Sequence, residues 1–170
     1  MKLEKVYKQV TLGLNIEFDT IVLYSIYLLS ILVPLLIGKP QLLVGSIINT
    51  LIVYSTLKYG IKKTLPVLLL PSITATSMGI LFDGATYFLL YVLPLIVISN
   101  FILSYFVSKK NLKFGLVGML LKGTFLIITY KLMSEIVGLP SIFVTSSYLQ
   151  FITASVGVLI GFTLYRYSKN

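Results

Sequence analysis

The sequence predicts an all-α membrane protein: one bundle of six transmembrane helices with both termini in the cytoplasm. Three observations carry that prediction. The chain of 170 residues is 57% apolar and only 11% charged, where a soluble domain is roughly 45–50% apolar and about 25% charged. Its apolar residues fall into six separable runs, each near the about 17–25 residues that cross a bilayer. Its basic residues collect on one side of those runs.

The runs lie at 20–37, 42–57, 65–82, 85–107, 114–133 and 146–165. Residues 1–19 precede them as a short cytoplasmic segment. Lys2, Lys5 and Lys8 resemble the start of a signal peptide, but Glu17 and Asp19 interrupt and no small-x-small cleavage site follows. Leu3, Val6, Tyr7 and Val10 recur at helical spacing with lysines between them. That pattern fits an amphipathic helix on the inner leaflet or a frayed tail. The first run ends at the tight turn Gly38-Lys39-Pro40. The second is short and would stand nearly upright. The third carries Pro66 and Pro71. Pro71, next to Ser72, is placed to kink it and free carbonyls. The fourth carries Pro94 and Asn100, and the fifth carries Lys122. In the sixth, Thr153, Gly157 and Gly161 form a small-xxx-small stripe suited to close helix packing. So little chain is left for loops that 1–170 forms a single transmembrane domain.

Charge sets the orientation. Lys2, Lys5, Lys8, Lys58, Lys62, Lys63, Lys109, Lys110, Lys113, Arg166 and Lys169 fall on one side. The other has Lys39, Lys131, Asp83 and Glu135. Basic loops stay cytoplasmic, which places both termini inside the cell membrane. The net charge of +9 then reflects contact with anionic lipid rather than nucleic acid. Tyr54, Tyr59, Tyr105, Tyr165 and Tyr167 mark the inner interface, and Tyr87 and Tyr148 the outer one.

The composition also narrows the chemistry. The chain has no Cys and no His, which excludes disulfides, thiolate chemistry and His-held metal or haem. No run carries a carboxylate pair or a nucleophile with its base. The reading is therefore not an enzyme, with no cofactor and no metal.

What remains is a set of polar residues at one depth. Lys122 is nine residues beyond Lys113, about 13 Å into the membrane. Asn49 is nine residues before Lys58, Asn100 nine before Lys109, and Ser72 nine after Lys63. A lysine stem reaches about 6 Å, too little to snorkel from that depth. If the four faces converge, they form a polar cluster in which Lys122 binds an anionic group. Gln41 and Gln150 lie nearer the outer end and extend the path outward. Asn49, Asn100, Lys122, Ser72, Gln41 and Gln150 are thus the candidate substrate-binding residues. The alternative is that these side chains only join helices.

Five segments carry a family resemblance: QLLVGSIINT, LPSI, LPLIVISN, GLVGMLLKGTFLI and SYLQFITASVG. In this order they are similar to a group of small prokaryotic six-helix proteins that resemble the S-components, the substrate-binding membrane subunits, of energy-coupling factor transporters. Some relatives carry an iron-hydrogenase label, which a chain without Cys or His does not support. The resemblance implies an S-component-like bundle that binds a vitamin or other micronutrient toward the outer face. It also implies partners: a transmembrane coupling subunit and two ATPases, where the ATP chemistry would lie. Many of that group have a long first loop over the substrate. Here that connection is a tight turn, so the connection at 134–145 is expected to serve as the lid. A different class of role also fits a small bundle, that of a non-transporting membrane assembly or cell-envelope subunit.

Overall fold

The computed structural model describes residues 17–79, 85 and 88–168. The expected N-terminal amphipathic segment therefore lies almost wholly outside the described residues, as do Asp83 and Tyr87. The elements are α1 (Phe18–Leu36), α2 (Gln41–Met78), α3 (Leu89–Val107), α4 (Leu112–Val137) and α5 (Ser141–Tyr167). All five are long and apolar enough to cross a membrane.

The ends of these helices follow local chemistry. Asp19 sits in the first turn of α1, where a carboxylate meets the positive end of the helix dipole. Asn111 caps α4 by accepting from the Lys113 backbone N–H at 2.9 Å. At its other end, α4 stops at Gly138 in the left-handed conformation. Leu139 then turns back to the Met133 carbonyl at 3.4 Å. Only residues 138–140 connect α4 to α5, and Leu139 is buried. The expected lid at 134–145 is thus mostly helix, because the helical pattern runs through Glu135 and begins again at Ser141. The third run also stops short of its expected end: α2 closes at Met78, with Gly79 left-handed.

The second and third runs meet inside α2. The element is broken at Gly60 (φ 79, ψ 169), a region open essentially only to glycine. Gln41 and Pro71 border the same cavity, whereas a continuous helix between them would hold them about 45 Å apart. The arms 41–59 and 61–78 therefore fold back on each other as a helical hairpin. A Cβ at Gly60 would meet nothing within 4 Å, so only the backbone resists a side chain there. Gly60→Ala is expected to destabilise the bundle by about 1–3 kcal/mol. Gly79→Ala should cost less, because the left-handed helical region admits L-residues for about 1–2 kcal/mol. Equal thermal shifts for the two variants would mean that the break at Gly60 is not under backbone constraint.

The hairpin occupies the centre of the packing. It contacts α1, α3 and α5, and α4 packs on α3 and α5. The glycine stripe works inside the protein, against the first arm. A Cβ on Gly157 would lie 2.7 Å from the Asn49 carbonyl carbon, and one on Gly161 would lie 2.6 Å from Val53 Cγ1. Backbone cannot yield as a side chain can. Gly157→Val should therefore separate the two helices and cost at least the about 1–3 kcal/mol of an overpacked core. A melting temperature unchanged by that substitution would show the contact to be slack.

Two apolar clusters fill the interior. One, around Ile52, Leu57, Leu103, Val107 and Phe162, lies toward the Gly60 end. The other, around Leu89, Leu126, Leu139 and Phe143, lies toward the α4–α5 turn. Asn100 separates them along α3, and Lys122 along α4. The outside is apolar on every helix, with Leu28, Leu43, Leu90, Leu120 and Leu159 all exposed. Exposed apolar surface of this kind agrees with helices long and apolar enough to cross a membrane.

The basic residues gather at the Gly60 end. Lys58 pairs with Asp19 at 2.9 Å and stands over the Tyr54 and Tyr59 rings. The Tyr27 hydroxyl donates to the Lys63 carbonyl at 2.5 Å. Lys109 stands over Tyr105, and Lys110 over Tyr165. Of these tyrosines, Tyr54, Tyr59, Tyr105 and Tyr165 are the ones expected at the inner interface.

Candidate functional site

Lys122 is built into the middle of the bundle and is 3% exposed. Its ammonium donates to Asn49 Oδ1 at 2.5 Å and to Asn100 Oδ1 at 2.7 Å. A lysine can only donate, so these contacts fix which amide atom faces it. The amide nitrogens then turn outward to the helices around them. Asn49 Nδ2 donates to Thr153 Oγ1 at 3.2 Å, and Asn100 Nδ2 donates to the Leu68 carbonyl at 3.1 Å. Pro71 has no N–H for the Val67 carbonyl, one residue before the carbonyl that Asn100 reaches. One chain of hydrogen bonds thus joins both arms of α2 to α3, α4 and α5.

The residues at equal depth do converge. Asn49, Asn100, Lys122 and Ser72 all border one cavity of about 110 Å³, and Gln41 and Gln150 border it too. Ser72 stands in the wall and does not bond to Lys122. Gln41 precedes Asn49 by about 12 Å of helix, toward the end away from Gly60. There an open hollow of about 550 Å³, bordered among others by Lys39 and Leu149, shares Gln41 and Ser146 with the cavity. The hollow at the Gly38–Pro40 end and the cavity at Lys122 share a wall and together make up the shaft.

The walls of the shaft are largely apolar, among them Ile48, Leu89 and Ile96. No aspartate or glutamate borders it among the described residues. An ammonium in such a place is unusual, because a buried charge is normally paired. Two amide oxygens solvate it through charge-assisted bonds, each worth about 1.5–3 kcal/mol, and they leave the net charge in place. One of its three N–H groups has no bond to the described residues. Among the described residues, no cluster of metal-ligating side chains occurs.

Sequence reasoning missed Tyr130 and Ser146, which also border the cavity. Tyr130 is buried and packs edge-on against Phe143, with ring centroids 6.1 Å apart. Its signal in the sequence is slight: it lies eight residues after Lys122 on the same helix, a spacing shared by many apolar residues. Comparison with family models, with curated proteins and with solved structures gives no match.

Proposed function

We propose that this chain is the substrate-binding membrane subunit of an uptake transporter like the energy-coupling-factor type, taking a small polar micronutrient. The observation that carries the reading is the shaft. It is buried among membrane-length helices, lies beside an open hollow at one end of the bundle, and ends on a lysine that no carboxylate faces among the described residues. In this reading the α2 hairpin contributes two crossings, so the chain crosses the cell membrane six times. The basic end is cytoplasmic by the positive-inside rule, which puts the mouth of the shaft on the outside. Asn49, Asn100 and Lys122 form the base of the substrate site, Ser72 its wall, and Gln41 and Gln150 its entry. The chain has no phosphate-binding GxxxxGK[ST] loop. Energy would come from a membrane coupling subunit with two ATPases.

Mild-detergent capture of tagged protein from its host, followed by mass spectrometry of proteins and small molecules, tests this. Recovery of a membrane coupling subunit with ATPases is the expected result. Recovery of the chain with cell-envelope proteins alone would favour a non-transporting assembly subunit. One observation supports that second reading: the Lys122 network ties together both arms of α2 and three other helices, as a structural bolt would.

A further inference from the structure

Resting on the reading of the shaft as a substrate site, we infer that its ligand is a small organic monocarboxylate, with the carboxylate seated on the Lys122 ammonium and the carbon body between the apolar walls. The base of the cavity carries one positive charge that Asn49 and Asn100 solvate without neutralising. No acidic residue borders the cavity among the described residues, so an arriving anion supplies the missing charge. One N–H of the ammonium is left to meet it. A cation would meet repulsion at the base. A phosphate dianion would bring one charge too many, since no second lysine or arginine among the described residues borders the cavity and an unmatched buried charge is costly. An inorganic anion would leave the faces of Ile48, Leu89 and Ile96 without a partner. The size agrees: at about 110 Å³ the cavity is somewhat smaller than the roughly 150 Å³ that accommodates benzene. An unbranched body of a few carbons fits.

The test uses the full chain in lipid nanodiscs with four probes. Butanoate, butanamide and butylamine share a shape and differ in charge. Dodecanoate carries the same head group on a membrane-soluble tail. Protection against heat is titrated for each. Butanoate is expected to bind about tenfold more tightly than butanamide, the difference between a charge-assisted and a neutral hydrogen bond. Butylamine should give no protection. Lys122→Gln should remove the preference for butanoate; if that variant does not fold, the wild-type series decides alone. Butanamide or butylamine matching butanoate would overturn the monocarboxylate and leave the substrate-site reading standing. Protection by dodecanoate alone would overturn it in favour of a membrane fatty acid. Protection by none of the four would overturn both the inference and the substrate site.

Discussion

Lys122→Met is expected to abolish ligand binding and leave the bundle at least as heat-stable as the wild type. The two effects separate the roles of the lysine. Met keeps much of the stem's volume and removes the charge. The loss includes two hydrogen bonds, at 2.5 and 2.7 Å, together worth about 3–6 kcal/mol at charge-assisted strength. The gain is release from holding an unneutralised ammonium away from water, an effective penalty of several kcal/mol. The two nearly cancel. The amide oxygens left behind face a cavity with room for water, so they are not stranded. Binding has no such compensation, because the ligand loses the charged contact at the base of the cavity. The measurement pairs a thermal melt with ligand titration on the same preparation. A fall in melting temperature by about ten degrees or more, at roughly 2–4 °C per kcal/mol for a chain of this size, would make Lys122 a structural bolt.

Removing the amides instead should be severe, and only while the lysine is present. Asn49→Leu with Asn100→Leu leaves the ammonium without a protein partner. Breaking up a buried charge arrangement from one side costs about 3–5 kcal/mol. In the Lys122→Met background the same pair of substitutions should cost much less, because no charge is left to solvate. Thr153 and the Leu68 carbonyl then lose only ordinary partners, at about 0.5–1.5 kcal/mol each. The double-mutant cycle should give a coupling of about 2–3 kcal/mol. Additive costs in the two backgrounds would mean that the amides hold the helices together independently of Lys122, and the site would lose its central interaction.

The depth of the site is legible in the amino-acid sequence alone. A fixed rise per residue, counted from each basic loop, brings Asn49, Asn100, Ser72 and Lys122 to one level, and all four border one cavity. That reasoning works because membrane helices are long and regular, and because basic residues mark their ends. The azimuth is not legible. Rotation about each helix axis is set by packing, and the exposed faces here are as apolar as the buried ones, with Leu120 and Leu121 exposed beside buried Met119 and Lys122. The glycine stripe is the exception: small residues give its face away, and it lies against the first arm of α2. The hairpin is half legible. Two apolar runs flank a basic stretch, but a reversal within one residue leaves no loop composition to see. The connection at 134–145 misleads for the opposite reason. Glu135 and the serines read as a polar loop, yet a helix end facing the interface tolerates them.

The one-residue reversal at Gly60 also bears on how the chain reaches the bilayer. The second arm carries Pro66, Pro71 and a run of Ser and Thr, and the element it belongs to is the least apolar of the candidate spans. Alone in lipid, such a segment would leave backbone groups unpaired. In the proposed topology, joined at Gly60, it would enter together with the first arm, with the basic turn at Lys58, Lys62 and Lys63 on the side of synthesis. The proposed topology then makes the two arms one insertion unit, and a synthesis arrest that exposes only the first of them should leave it unanchored beside α1.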